Sequence, residues 1–347
     1  MKTRFAYIVG LVAWLAVSYD STILEFPEHE GVDPTLVHVN LTFEVDPTIE
    51  PYTTTQALVK SDGTPTHDVR WMIEIFQDEI DGEPVERRLL SCDPDMEGHH
   101  VIDASFDLHA AKYHVVAWMD YVDDGSTDDK YYMIPSLSNI GIPETESYIG
   151  DEDYKDTYVG NQELDLTGYR EGWNQTVEHT VMLERPMAKI EFITTDIDKL
   201  AAEWAAQNRM KGTKTNDVLA DQIDVSSWQV KVEYGGYFPS SFNAYTNKPN
   251  DAREGVSFMS TMTPLSSQEA RFGSDYIFVN GSESAVSVNL TITDDQGKVL
   301  NEIQGIQVPI VRGKLTSVRD EFLTRSFTPG IGIDPDFDGE INIVIPD

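Results

Sequence analysis

Polar and apolar side chains alternate through much of this chain. Between Val37 and Val45 every second side chain is apolar, and those between them are polar. Because successive side chains of a β-strand point to opposite faces, this alternation predicts strands with one face on a core and one in water. Similar segments are residues 69–76, 101–108, 113–121, 177–183, 188–194, 228–234, 276–279, 286–293, 306–310 and 341–345. Turn residues separate them, so the sequence predicts an all-β fold of antiparallel sandwiches.

One segment has helical spacing instead. Between residues 196 and 209 the apolar side chains recur every three or four positions. They are Ile197, Leu200, Ala201, Trp204 and Ala205. This spacing predicts one short amphipathic helix that packs on a sheet or covers its edge.

The strand segments divide into two groups around Leu183–Met187. Each group has enough strands to close a sandwich. We therefore expect two β domains, at residues 35–184 and 185–347, with the helix in the second. Residues 148–173 are rich in Asp, Gly and Tyr, which predicts a long connection before the boundary.

The N-terminus has the pattern of an export signal. Lys2 and Arg4 precede the uncharged apolar run 5–17, and small residues stand at −3 and −1 of a cut between Ser18 and Tyr19. The first 18 residues are therefore predicted to be a signal peptide.

No segment is predicted to span a membrane. The apolar run of the signal has about 13 residues, fewer than the roughly 20 that cross a bilayer as a helix, and no later stretch is longer. Residues 19–34 are acidic and contain two prolines, which predicts a flexible tether before the first strand.

The charge and the cysteine count exclude several classes of function. Sixty acidic residues against 25 Lys and Arg give a formal charge of −35, which repels nucleic-acid phosphates and acidic lipid headgroups. The single cysteine, Cys92, excludes a disulfide within the chain and a cysteine-built metal centre. The motifs HExxH, GxSxG and the phosphate-binding glycine loops are absent. We predict no catalytic residue and no cofactor.

One acidic cluster has the spacing of a calcium loop. Asp334, Asp336 and Asp338 stand at loop positions 1, 3 and 5, with Gly339 at position 6. Position 12 is Ile345 instead of the required Glu, and no helices are predicted on either side. A turn leading into the last strand is therefore favoured, with a calcium site as the alternative.

Aromatic residues suggest a second alternative. Tyr131, Tyr132 and Tyr154 lie on predicted loops among acidic residues. Exposed tyrosines beside carboxylates can bind glycans, so these residues are candidates for glycan contact. Loop tyrosines also often anchor the loop they belong to.

The order of these segments resembles the fimbrillin-like lipoproteins of Bacteroidales, which include major and anchor subunits of fimbriae. The resemblance rests on the N-terminal signal and on the segments VRWMIEI at 69–75, AAKYHVVAW at 110–118, LERPMAKI at 183–190 and GIDPDFDGE at 332–340. It implies two tandem transthyretin-like β-sandwich domains, display at the outer membrane or in a fimbrium, and a role in assembly or adhesion. Partners would be other fimbrial subunits or ligands on host or bacterial surfaces.

In the assembling relatives, a strand from one subunit adds to an exposed sheet edge of the next. Here Ile341, Ile343 and Ile345 share one face of the last predicted strand, as a donated strand requires. An ordinary closing strand of the second domain is the favoured interpretation, and strand donation is the alternative. Tyr19 occupies the position of the relatives' lipid-modified cysteine, which removes the thiol that an acyl anchor needs.

Three functions follow, in order of preference. The first is a surface-exposed fimbrillin-like structural or adhesion protein, and one form of this hypothesis is a fimbrial subunit that assembles by β-strand addition. The second is a glycan-binding surface protein of a polysaccharide-utilisation system. The third is a hydrolase with two carboxylates across a cleft, a geometry that sequence cannot establish in so acidic a chain.

Overall fold

The structure is a computed structural model that describes residues 36–48, 65–80, 82–95, 99–144, 148–170, 175–210, 223–325 and 340–344. Strands β1 to β9 are Leu36–Val45, His67–Gln77, Glu86–Cys92, Val101–His109, Lys112–Asp123, Met133–Ser136, Asn139–Gly141, Tyr158–Asp165 and Thr176–Leu183. Strands β10 to β20 are Met187–Thr194, Gln229–Tyr234, Phe238–Asn243, Lys248–Arg253, Ser257–Thr261, Thr263–Pro264, Ala270–Phe278, Glu283–Thr293, Val299–Val311, Leu315–Asp320 and Glu340–Val344. Among the described residues one α-helix is present, α1 (Ile197–Met210). The all-β fold and the single helix in the second half are confirmed.

Apart from β6 and β7, the strands up to Leu183 form two sheets, with the orders β4-β1-β9 and β3-β2-β5-β8. Apart from β12 and β13, the strands from Met187 onward form two more, with the orders β15-β16-β10-β19-β20 and β14-β11-β17-β18. The expected connection at 148–173 contains β8, which pairs antiparallel with β5. The sequence analysis missed this strand because β8 contains few apolar residues, so apolar and polar side chains do not alternate clearly along it.

Both halves use the same pairing around their first strand. β1 runs antiparallel to β4 and parallel to β9. β10 likewise runs antiparallel to β16 and parallel to β19. The sheets are therefore antiparallel except where a late strand of each half returns beside the first. The alternation of side chains predicts which face of a strand is buried, but not whether the adjacent strand runs parallel or antiparallel to it.

A fifth sheet joins the two halves. Its order is β13-β12-β7-β6, so a hairpin from each half contributes two strands. Ile140 of β7 pairs with Phe242 of β12. The apolar side chains of both halves form one continuous core. The division at residues 184 and 185 stays a prediction, because this sheet and core cross it.

This extra layer changes the environment of β2 and β5. Alternation predicted one face in water, but both strands are buried on both faces over most of their length. On one face lie Trp71 and Ile73, which are fully buried. On the other, Trp118 packs on Phe242 with ring centroids 6.2 Å apart. The polar side chains of that second face are consequently removed from water.

Within the described residues, every helix is too short or too polar to cross a lipid bilayer.

Candidate functional site

Charged side chains are buried where the two halves meet. We call this set the polar junction: Tyr148, Lys155, Asp156, Tyr158, Arg185, Tyr234 and Asp275. All seven are less than 10% exposed. The segment 148–158 carries four of them into the interface, and a short 3₁₀ turn, Asp153–Lys155, orients the lysine inward. Buried charges require partners, so their contacts define what the junction can do.

Lys155 and Asp275 form an ion pair between the connection and β16, and their side chains are 2% and 0% exposed. The hydroxyls of Tyr148 and Tyr234 both donate to Asp275 Oδ2, each at 2.6 Å. Lys155 Nζ also donates to the Tyr148 hydroxyl at 2.7 Å. Burial lowers the pKa of Lys155, although the Asp275 charge opposes that effect. Burial also raises the pKa of both tyrosines well above the usual value, so their hydroxyls stay protonated donors.

Arg185 forms the second buried pair of the junction. Its Nε and Nη2 donate to the two carboxylate oxygens of Asp156 at 2.6 and 2.7 Å. Nη2 also donates to the Tyr158 hydroxyl at 2.8 Å, and that hydroxyl donates to Asp156 Oδ2 at 3.0 Å. This two-point contact fixes the orientation of the guanidinium. Arg185 therefore fastens the end of β9 to the connection.

A third pair lies on the covered face of β2 and β5. Arg70 donates from Nε and Nη2 to Asp120 at 2.9 and 2.7 Å, and from Nη1 to Asp129 at 2.8 Å. These hydrogen bonds raise the pKa of Arg70 against the opposing effect of burial. The contact of Arg70 with Asp129 holds the chain after β5 against the sheet.

The three candidate glycan-contact tyrosines are interior residues. Tyr131, Tyr132 and Tyr154 are 4%, 1% and 9% exposed. The Tyr131 hydroxyl lies 2.9 Å from His67 Nε2, and the Tyr154 ring stacks on the His67 ring with centroids 3.6 Å apart. Their burial fits the other interpretation, in which loop tyrosines anchor their loop, because tyrosines beside acids can point inward and satisfy their hydroxyls there. They provide no open platform for a sugar.

The last strand pairs within its own chain. β20 runs antiparallel to β19, with Ile341 opposite Val318 and Ile343 opposite Thr316. It stands at the end of its sheet. Ile345 lies outside the described residues, as do Ser18, Tyr19, Asp334, Asp336 and Asp338. The signal cleavage, the calcium alternative and strand donation stay predictions.

Two further features bear on possible chemistry. Across the described ranges, no group of three or more His, Cys, Asp or Glu side chains is arranged to hold a metal ion. An open cavity of about 1020 Å³ lies between α1 and residues 264–268. Its walls include Ala201, Ala205 and Pro264, with Asp198 and Asp224 at its border. Its described lining also includes Ser266 and Ser267, but no histidine, lysine or cysteine.

Sequence reasoning missed the polar junction. Arg185 was noted only within a segment of family resemblance, and Lys155 and Asp275 stand 120 positions apart. The available signal was a lysine inside a connection with four tyrosines, at 148, 154, 158 and 169. Nothing in the local pattern assigned it a partner.

Solved structures similar to this chain include proteins of the kind that the sequence resemblance named. The fimbrial anchor protein Mfa2 from Porphyromonas gingivalis is 10% identical, with a TM-score of 0.40 over 82% of this chain and 90% of that chain. A candidate cell adhesion protein from Bacteroides eggerthii is 11% identical, with a TM-score of 0.46 over 90% and 96%. A fimbrial assembly protein from Parabacteroides distasonis is 10% identical, with a TM-score of 0.38 over 89% and 99%.

At these identities and scores the likeness concerns the general fold and gives no correspondence between residues. No protein of curated function matches the sequence. The model of DUF6562, a family of unknown function, matches residues 33–346, and the chain belongs to that family.

Proposed function

We propose that this chain is an exported structural or adhesion protein of the cell surface, which contacts fimbrial components or surface ligands through its sheet edges. The observation that carries the proposal is the position of β20. β20 is an edge strand of its sheet, and its neighbour in that sheet is β19. An edge strand can leave without breaking the interior hydrogen bonds of its sheet, and an equivalent strand can take its place.

We propose a non-catalytic role. Three of the most deeply buried carboxylates, Asp120, Asp156 and Asp275, are each paired with a cation in the interior. A fourth, Asp196, accepts backbone N–H groups of Leu323 and Thr324. A glycosidase instead needs two carboxylates across a cleft that admits substrate. The acidic surface and the fimbrial resemblance support a partner-binding role at the cell surface, although the family itself carries no assigned function.

Strand exchange is tested with a chain that ends at residue 339. Removing β20 exposes the hydrogen-bonding groups of β19, so we expect this truncated protein to bind a peptide of residues 340–347. Isothermal calorimetry measures the binding. A control peptide with Ile341→Asn and Ile343→Asn keeps the backbone but loses the apolar face, and should bind at least tenfold more weakly. Strand exchange would be contradicted if the two peptides bound equally well, or if the wild-type peptide did not bind.

Surface location is tested separately on intact cells of the producing organism. Antibodies against the folded protein should label unpermeabilised cells, and added protease should remove the label. Labelling that requires permeabilisation would contradict the proposed location, whatever the outcome of the peptide experiment.

A further inference from the structure

The Lys155–Asp275 pair has the surroundings of a reactive site. Both side chains are almost completely shielded from water, and the amine touches the carboxylate directly. Tyr148 and Tyr234 contact Asp275 through their hydroxyls. Their rings pack in turn on the rings of Phe238 and Phe258. Lys155 Nζ lies 4.1 Å from the centre of the Tyr148 ring. Charges in such a place are unfavourable, and a neutral product of the same two groups would relieve that cost.

We propose that Lys155 and Asp275 condense to an intramolecular amide bond, which joins the connection covalently to β16. The proposal concerns a modification of the folded chain and does not depend on strand exchange. The bond would link residues 120 positions apart, and so tie the two halves of the molecule together.

The reaction is balanced without any co-reactant. The ammonium first passes a proton to Asp275 Oδ1, which gives a neutral amine and a carboxylic acid. The nitrogen lone pair then attacks Cγ, and the π electrons of the carbonyl move onto Oδ2. A second proton moves from Nζ to Oδ1, the Cγ–Oδ1 bond breaks, and water leaves as the carbonyl re-forms. One proton remains on the amide nitrogen.

The hydrogen bonds match the needs of this reaction. Negative charge develops on Oδ2, which accepts from the hydroxyls of Tyr148 and Tyr234, each at 2.6 Å. Donors placed in this way stabilise the tetrahedral intermediate. The leaving oxygen Oδ1 contacts Nζ and accepts the Tyr276 N–H at 2.8 Å. Burial, which lowers the pKa of Lys155, increases the fraction of the nucleophilic amine.

Two other ion pairs lack these features. Lys189 pairs with Asp153, but that carboxylate is 29% exposed, so water solvates its charge. Arg185 pairs with Asp156 in the interior, but a guanidinium keeps its proton and is not a nucleophile. The Lys155–Asp275 pair combines three features: both groups are buried, the cation is an amine, and two hydroxyls donate to Asp275 Oδ2.

The test is the intact mass of the mature wild-type protein, purified from cells and measured under denaturing conditions. We expect a mass one water molecule below that of the mature sequence. Tandem mass spectrometry of a digest should then show a branched peptide joining Lys155 to Asp275. A wild-type protein with the full sequence mass and a free Lys155 amine would overturn the proposal, and this result requires no variant to fold.

Variants identify the reacting groups. Lys155→Met should restore the full mass, and Lys189→Arg, as the matched control, should keep the deficit of one water. Tyr234→Phe removes one donor from Oδ2 and should slow the appearance of the cross-link by about 100-fold, measured by mass at intervals after synthesis. A deficit that persists in Lys155→Met would place the lost water elsewhere and contradict the assignment.

Discussion

At the scale of single residues, the stability of this protein depends on charges that water does not reach. Arg185 and Asp156 are each about 1% exposed and make a two-point contact. Such a pair gains little over an apolar packing, because both charges lose their hydration. Removing one partner is different, since it leaves the other charge buried and uncompensated. Single substitutions here should therefore have large effects.

Asp156→Asn tests this directly. The variant keeps the shape of the side chain but leaves the Arg185 guanidinium without a counter-charge, so we expect a loss of about 3–5 kcal/mol in the free energy of unfolding. Urea denaturation measures it. Glu233→Gln is the control, because Glu233 is 43% exposed in its pair with Lys231, and should cost about 1 kcal/mol or less. Similar losses in the two variants would contradict the role assigned to burial.

His100 makes stability depend on pH. Its Nε2 lies 2.9 Å from the Tyr121 hydroxyl, and its Nδ1 accepts the Asp95 N–H at 3.4 Å, which a protonated ring could not do. Burial lowers the pKa of His100 to about 4. Between the unfolded pKa, near 6.5, and this value, the unfolded chain binds a proton that the folded chain does not. Stability is therefore complete above the unfolded pKa and falls as the pH drops toward 4.

The expected slope is about 1.4 kcal/mol for each pH unit in that window. Urea titrations at pH 7, 6 and 5 should show a smaller decrease for His100→Gln than for the wild type. His99→Gln changes the exposed neighbouring ring, whose charge is the smallest contribution to the lowered pKa of His100, and should change the slope much less. His67, whose pKa burial also lowers to about 4, adds a change of the same sign in all three proteins. Identical slopes in the His100 variant and the wild type would be the contrary result.

At the scale of elements, the connection before β8 packs closely against a strand of the second half. A Cβ atom built on Gly150 would lie 2.3 Å from the Phe258 ring, whereas one built on Gly168 meets nothing within 4 Å. Only a residue without a side chain lets the backbone approach the ring this closely. The path of the connection, and so the position of Lys155, depends on that contact.

Gly150→Ala should destabilise the protein by about 1–3 kcal/mol, because the added methyl group forces the ring or the connection to move. Gly168→Ala provides a matched control of the same chemical change in open space, and should be neutral. Thermal unfolding followed by circular dichroism compares the two. A Gly150 variant as stable as the Gly168 variant would contradict the close packing.

At the scale of the whole molecule, the two halves share both a sheet and a core. β7 pairs with β12 across the division, and Phe242 packs on Trp118 and on Phe278, with centroids 6.2 and 5.1 Å apart. Separating the halves would expose these rings and leave the charges of the polar junction without partners. The halves should therefore not unfold independently.

Calorimetry tests this cooperativity. We expect a single transition for the wild type, with equal calorimetric and van't Hoff enthalpies. Phe242→Ala removes the ring at the centre of the shared layer, should cost about 3–5 kcal/mol, and should separate the transition into two. Two independent transitions in the wild type would show that the shared sheet does not couple the halves.

Local pattern was sufficient for part of this structure. Alternation in β1 and helical spacing in α1 identified elements that bury one face. In such an element the apolar residues recur with the period of the strand or helix, so the sequence alone reveals the buried face. The edge strand β8 carried too few apolar side chains to give that signal.

What only the tertiary structure decided is which distant segments meet. The sequence by itself determined an acidic β-rich chain with one amphipathic helix, because those properties are local or additive along the chain. Contacts between residues far apart in sequence decide the rest. They place the fifth sheet over β2 and β5, turn the three tyrosines inward and pair Lys155 with Asp275. A buried charge looks like a surface charge until its partner is known, and folding alone supplies that partner.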